Sequence, residues 1–158
     1  MVAPFVVMFV PGVTPGKWGR IWSDRMPRQP LDLRPASETE ALAALNGPAH
    51  MAFLRDVPAS DSLHVIPLYR EQPVVQIDKE SPLASQESLS REEVTALELE
   101  VIPQSVARAL SRRDVVARPV IDAPDSGIGL AWLATAQHPL IEVFVGIVRG
   151  RTANSSRS

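Results

Sequence analysis

The 158-residue sequence contains no cysteine, which excludes disulfides, thiol catalysis and thiolate metal ligands. It also lacks a surplus of positive charge: 16 Lys and Arg face 18 Asp and Glu, whereas dedicated nucleic-acid-binding proteins usually carry a basic excess. Its three histidines, His50, His64 and His138, are far apart, and no pair has the spacing typical of metal ligands. We therefore predict neither a metal nor another cofactor.

Long hydrophobic runs are also missing. The longest apolar stretch, residues 2–10, contains Pro4 and is far shorter than the roughly 20 residues of a transmembrane helix. It lacks the basic start and the small-residue cleavage site of a signal peptide. We interpret it as a buried strand, and expect no membrane partner and a cytoplasmic location.

The residues that are present favour a folded domain. Apolar residues make up 45% of the chain, enough for a core, and 15 prolines predict many short elements. A strand over residues 6–10, a helix after Gly16, a short strand at 31–33, a helix after Ser37 and a strand at 51–54 follow in turn. This alternation predicts an α/β fold with an open, mainly parallel sheet and helices on both faces.

Two capping boxes mark helix starts, at Ser37 to Glu40 and at Ser90 to Glu93. Extended runs are predicted at residues 63–68, 73–77, 115–120 and 128–133. A short helix opens at Pro103-Gln104-Ser105, and a final helix follows Pro139.

The most informative local feature is the segment between the first predicted strand and the helix that follows it, which comprises Thr14, Pro15, Gly16 and Lys17. Ligands of open α/β sheets gather at the carboxyl ends of strands, and a helix N-terminus suits an anion. Thr14 and Lys17 would add a hydroxyl and a positive charge. The alternative is a Pro-Gly turn with an exposed lysine, and the glycine spacing does not match a Walker motif.

Two more residues are secondary candidates for ligand binding. Arg55 follows the strand at 51–54, so it could complete an anion site or pair with Asp56 or Asp61. Ser105 follows an extended segment and opens a helix, so it could bind a ligand or be only a first-turn residue.

A catalytic constellation is not recognisable. The chain has no G-x-S-x-G motif, and the positions of His64 and His138 favour structural roles. We therefore predict a non-enzymatic protein without catalytic residues.

Several segments taken in order resemble the effector-binding domain of LysR-type transcriptional regulators. They are residues 63–67, 73–84 and 101–108, and residues 9–18 and 144–154 resemble a subgroup of these domains that stands alone. The resemblance implies the type 2 periplasmic-binding-protein fold, in which two α/β lobes are joined by two crossing strands. It also implies binding of a small effector.

The chain departs from that family in two ways. It begins at the first sheet strand without the family's helix-turn-helix, so we expect no direct DNA binding. Only residues 79–97 separate the segments assigned to the two crossings, which is too short for the βαβ units of a second lobe. We predict one domain over 1–148 with a shortened second-lobe region at 79–98, completion of the first lobe by 115–149, and a flexible basic tail at 149–158.

These inferences predict a domain that senses, or once sensed, a small anionic metabolite. With one wall of the cleft absent, the monomer would bind it weakly or not at all, and an uncovered face would favour a homo-oligomer or a partner protein. The alternatives are a solute-binding protein of a transport system, or a small enzyme on the same fold, similar to prephenate dehydratases or deaminases.

Overall fold

The computed structural model describes residues 2–151. They form two compact units: residues 2–67 with 129–151, and Leu68–Ile128. No helix among these residues is long and apolar enough to cross a membrane. The strands are β1 (Phe5–Phe9), β2 (Leu31–Pro35), β3 (Met51–Arg55), β4 (Leu63–Glu71), β5 (Pro73–Asp78), β6 (Ile102–Pro103), β7 (Val115–Pro119) and β8 (Ser126–Leu133). The helices are α1 (Gly16–Arg25), α2 (Glu38–Ala44), α3 (Arg91–Ala96), α4 (Gln104–Ala109) and α5 (Leu140–Val148).

The first unit is built around a five-stranded sheet in the order β2-β1-β3-β8-β4. The central β1 is parallel to both β2 and β3, and Val7 is in register with Leu33 on one side and Met51 on the other. The β-branched and aromatic residues of β1 suit a strand that is covered on both faces. The predicted α/β fold with a mainly parallel sheet is confirmed.

Both predicted capping boxes are present. The Ser37 hydroxyl accepts a hydrogen bond from the Glu40 N–H at 3.1 Å, and the Ser90 hydroxyl accepts one from the Glu93 N–H at 3.2 Å. In each case the glutamate accepts in return from the backbone of the serine. These local bonds fix the starts of α2 and α3, because they satisfy N–H groups that have no partner within the helix.

The scarce aromatic residues are concentrated in the core of the first unit. Trp18 stacks on Phe53 at 4.9 Å, and Trp22 stacks on Phe5 at 5.5 Å between ring centroids. Phe144 of α5 lies within 6.3 Å of Phe5, Trp22 and Phe53. The five rings therefore join α1, α5 and the middle of the sheet, and large side chains of this kind dominate the burial energy of a small core.

The second unit has a sheet of its own, in the order β6-β5-β7. The pairing is antiparallel throughout, with Val74 opposite Ile102 and Gln76 opposite Ala117. Its core comprises Val75, Ile77, Leu89, Val94 and Val120.

The structure gives this unit a wider extent, Leu68–Ile128, than the 79–98 region expected from the sequence. The prediction that 115–149 completes the first lobe is wrong for β7, which pairs with β5. The length argument fails because antiparallel strands need no long βαβ crossover. The bounds 1–148 stay a prediction.

Two strands contribute residues to both units. Residues 63–67 of β4 and 129–133 of β8 belong to the first, and the rest of each strand belongs to the second. A Cβ atom added to Gly129 would lie 2.6 Å from Val65 Cγ1 and 3.1 Å from the Ile66 carbonyl oxygen. Gly129 therefore permits a close approach of β8 to β4.

A glycine ends α5. Gly150 has a φ of 75°, the Arg151 N–H donates to the Gly146 carbonyl at 2.9 Å, and the Gly150 N–H donates to Ile147. This is the Schellman arrangement. Arg25 also donates to the Arg151 carbonyl. The first residues of the predicted flexible tail, 149–151, are therefore hydrogen-bonded, and 152–158 lie outside the described residues.

We predict that Gly150→Ala lowers the free energy of unfolding by about 1–2 kcal/mol, because an L side chain is strained in the left-handed region. Gly47→Ala is the control: its φ is not positive and a Cβ there would meet its nearest atom at 3.9 Å. The control should change stability by no more than about 1 kcal/mol, and in the stabilising direction. Equal effects of the two substitutions in urea denaturation would contradict the proposed role of Gly150.

Candidate functional site

The carboxyl ends of β1, β2 and β3 meet at one edge of the first sheet, because the three strands are parallel. From this edge β1 continues through residues 10–15 into α1, and β2 continues through Ser37 into α2. β3 ends at Arg55, and Asp56 follows in the left-handed region with a φ of 56°. Open α/β sheets bind their ligands at this edge, outside the carboxyl ends of the strands.

Arg55 is the buried charge of this edge, with 6% of its side chain exposed. Its guanidinium donates to the Pro11 carbonyl at 3.0 Å and lies 3.9 Å from a carboxylate oxygen of Glu38 in the first turn of α2. The Arg55 side chain thus connects the end of β3 to the segment after β1 and to the first turn of α2. The acidic residue in this ion pair is Glu38, which the sequence did not suggest, and pairing of Arg55 with Asp56 or Asp61 stays a prediction.

The residues predicted to bind an anion lie directly after the loop that Arg55 holds. Thr14, Gly16 and Lys17 are exposed, whereas Pro15 is buried. Pro15 is the N-cap of α1, its carbonyl accepts from the N–H groups of Trp18 and Gly19, and no side chain caps the helix. The first turn of α1 therefore presents its positive end beside an exposed hydroxyl and an exposed ammonium group.

Lys17 is positioned by an aromatic ring. Its Nζ lies 4.9 Å from the centroid of the Trp18 ring, which is itself stacked on Phe53. A cation over an indole face gains about 0.5–1 kcal/mol at an exposed site. The charge is therefore held near the start of α1 while remaining open to solvent.

Ser105 lies in the second unit, in the first turn of α4, as the sequence predicted for a first-turn residue. Its backbone N–H donates to a carboxylate oxygen of Glu71 at 2.9 Å, and Glu71 is only 9% exposed. Within residues 2–151 its hydroxyl oxygen is buried and has no hydrogen-bond partner. The carboxylate at this helix end makes it unsuited to a second anion, although the hydroxyl can still bind a neutral polar group.

Sequence reasoning missed two features. Glu71 falls in a polar stretch between two extended runs, and nothing in the local pattern connects it to Ser105, 34 residues later. The rings of His50 and His138 lie only 4.6 Å apart at the amino end of the sheet, although they are distant in sequence. Neither pair has a local signal, because the two residues of each pair are far apart in sequence and meet only in the folded chain.

The candidate residues are therefore distributed between the units. Thr14, Pro15, Gly16, Lys17 and Arg55 belong to the first unit, and Ser105 belongs to the second. Within the described residues, no group of three or more His, Asp or Glu side chains is arranged to hold a metal ion. The assignment of these residues to ligand binding stays a prediction.

The sequence also matches a family. A sequence model of the LysR substrate binding domain matches residues 18–101, which is more than half of the chain. The chain belongs to the LysR substrate-binding domain family. The match includes Arg55 but stops short of Thr14 to Lys17 and of Ser105, so membership does not assign roles to those residues. No match was found among curated protein sequences.

Solved structures share the fold of this LysR substrate-binding domain. A mutant OxyR regulatory domain from Pseudomonas aeruginosa has a TM-score of 0.73 at 16% identity, and the match covers 94% of this chain and 97% of that one. The BenM effector-binding domain with benzoate has a TM-score of 0.73 at 11% identity, with 94% and 92% covered. A full-length BenM mutant gives 0.76 at 12%, with 93% of this chain but 66% of that chain covered. These similarities confirm the type 2 periplasmic-binding-protein fold.

We predict that Arg55→Met lowers the free energy of unfolding by about 1–3 kcal/mol, because a buried hydrogen bond to the Pro11 carbonyl is lost. Arg34→Met is the matched control, since Arg34 forms an exposed ion pair with Asp32 and should contribute less than about 1 kcal/mol. Urea denaturation followed by tryptophan fluorescence measures both. An Arg55→Met variant as stable as the parent chain would show that the guanidinium does not hold the loop.

Proposed function

We propose that this chain is the effector-sensing part of a regulator and that it binds a small anionic metabolite without chemical turnover. The proposal rests on the first turn of α1, which has no side-chain cap and lies beside Lys17 at the carboxyl edge of the sheet. The chain also belongs to a family of substrate-binding domains. A cytoplasmic location accords with this role.

The roles of the first-unit residues differ. Thr14 and Lys17 are exposed and supply a hydroxyl and a charge, and Gly16 brings backbone close to a ligand without a side chain. Pro15 fixes the entry of the chain into α1. Arg55 is buried and donates to Pro11, so we assign it the task of holding the loop while it contributes positive potential at longer range.

Ser105 is proposed as a secondary contact through its hydroxyl. The neighbouring Glu71 carboxylate disfavours a charged group there, because two buried negative charges would repel each other. We therefore propose that a group bound at Ser105 is neutral and polar.

The expectation of weak binding by the monomer rested on a missing second lobe. The chain has a second unit with its own sheet, so this reason no longer applies. Regulatory output still requires a protein that contacts DNA, and we propose that this chain acts through such a partner or a fused segment.

The first prediction for the site concerns carboxylates. Benzoate is a suitable probe because the BenM domain was solved with it. We expect titration with benzoate and short aliphatic carboxylates to shift the amide resonances of residues 14–18. Lys17→Met should weaken the affinity about two- to fivefold, the effect of about 0.5–1 kcal/mol for an exposed charge.

Arg28→Met provides the control, because Arg28 is also an exposed cation and lies beyond the opposite end of α1. It should leave the carboxylate affinity unchanged. Equal losses in the two variants would indicate general attraction by positive charge, and the absence of shifts at residues 14–18 would refute the site. Conversion of any probe to a product would refute the non-enzymatic assignment.

A second prediction concerns self-association. Large apolar side chains remain exposed in the second unit, among them Leu97, Leu110 and Ile121. We propose that the chain forms a homo-oligomer, so light scattering should give a mass above 17.2 kDa that rises with concentration. A constant mass of one chain would refute it and would leave a different protein as the partner.

A further inference from the structure

The amino edge of the first sheet carries two histidines in an unusual arrangement. His50 precedes β3, and its Nδ1 atom accepts a hydrogen bond from the Val6 N–H at 3.0 Å. His138 precedes α5, and its Nδ1 atom accepts from the Leu140 N–H at 3.1 Å. The two rings meet edge to face, with their centroids 4.6 Å apart.

These bonds determine the protonation state of both rings. An Nδ1 atom that accepts a hydrogen bond carries no proton, so each neutral ring holds its hydrogen on Nε2. A protonated imidazole has hydrogen on both nitrogens and would oppose the backbone N–H with a second donor. Uptake of a proton by either ring therefore breaks the bond that this ring accepts.

We propose that His50 and His138 form a proton-sensitive clasp, which fastens the start of α5 to the amino ends of β1 and β3 and which acid opens. His50 supplies the link to β1, since its own N–H also donates to the Val6 carbonyl at 2.9 Å. His138 supplies the link to α5, because Leu140 is the first residue of that helix.

Charge reinforces the dependence on the neutral state. Two protonated rings at this distance would repel each other. Burial, followed by the neighbouring His138, lowers the pKa of His50, and the contact with the Val6 backbone raises it by less. The ring of His50 stacks on that of Phe5 with 4.8 Å between their centroids, and an aromatic face attracts a cation. This attraction acts against two effects that disfavour protonation, the loss of the backbone hydrogen bonds and the repulsion between the two rings.

Within the described residues, no carboxylate appears among the groups that shift the pKa of His50. β1 has no charged residue, and the only one in β3, Arg55, ends the strand at the far edge. The remaining charged residues of the packed helices are Glu142 in the first turn of α5, which is exposed, and Lys17, Arg20, Asp24 and Arg25 of α1.

The same tautomers argue against a metal at this pair. The nitrogens that would face an ion, the two Nε2 atoms, already carry hydrogen when Nδ1 accepts from the backbone. Binding a metal would require the loss of these protons or of the backbone bonds. The pair is therefore assigned to proton uptake rather than to coordination.

The sign of the effect follows from the lowered pKa. A histidine whose pKa is lower in the folded state stabilises the fold fully above its ordinary pKa of about 6.5. This stabilisation is lost progressively as pH falls below that value. Ordinary carboxylates titrate near pH 4, so the range from about pH 8 to 5.5 covers the histidines and, among the other group types of this chain, only the α-amino group near about 7.7.

The test is urea denaturation of the full chain across that range. We expect the unfolding midpoint to fall with acid in the parent chain, and His50→Asn combined with His138→Asn to abolish most of that fall. An asparagine oxygen can accept the same backbone hydrogen bond and does not titrate. His64→Asn is the control, because His64 is exposed and its ring contacts Trp132 instead.

An acid-induced fall that persists in the double variant, or that disappears in His64→Asn, would overturn the proposal. A second measurement does not depend on the variants. Long-range nitrogen–proton correlation spectra of the parent chain should be recorded above about pH 7.5, roughly one pH unit above the ordinary histidine pKa. They should show the hydrogen on Nε2 of both rings. A hydrogen on Nδ1 of either ring would also overturn it.

Discussion

The parallel pairing of β1 with β2 and β3 is the constraint on which the first unit depends. It sends three carboxyl ends to one edge and three amino ends to the other. At the carboxyl edge the buried Arg55 secures the Pro11 carbonyl, and at the amino edge His50 secures Val6. The aromatic core lies between these edges, so each polar contact forms at the margin of a packed interior rather than within it.

The two edges differ in how they handle charge. The carboxyl edge collects positive potential from Lys17, Arg55 and the first turn of α1, and Glu38 forms an ion pair with Arg55 there. At the amino edge the Nδ1 atoms of both histidines instead accept hydrogen bonds from backbone N–H groups. An anionic ligand and a proton would thus act at opposite ends of the same sheet, through separate groups.

The sequence predicted what local patterns determine. Ser37 and Ser90 identified helix starts because the capping box is complete within four residues, and the alternation of strands and helices over residues 5–55 implied the parallel sheet. Contacts between residues that are distant in the sequence were not predicted. The pairing of β7 with β5 was missed because an extended run does not reveal its neighbour, and a length rule for parallel strands was applied to an antiparallel sheet.

The two helix starts considered for ligand binding illustrate the same limit. Pro15 and Pro103 precede α1 and α4 in similar sequence contexts, and both helices lack a side-chain cap from their own N-cap residue. Glu71 makes α4 different, because its carboxylate accepts from the Ser105 N–H in the first turn of that helix. A carboxylate that reaches across from another strand can therefore neutralise one helix end and leave the other attractive to anions. That difference adds to the sequence argument for Thr14 to Lys17, and it could not be predicted from the sequence because Glu71 and Ser105 are 34 residues apart.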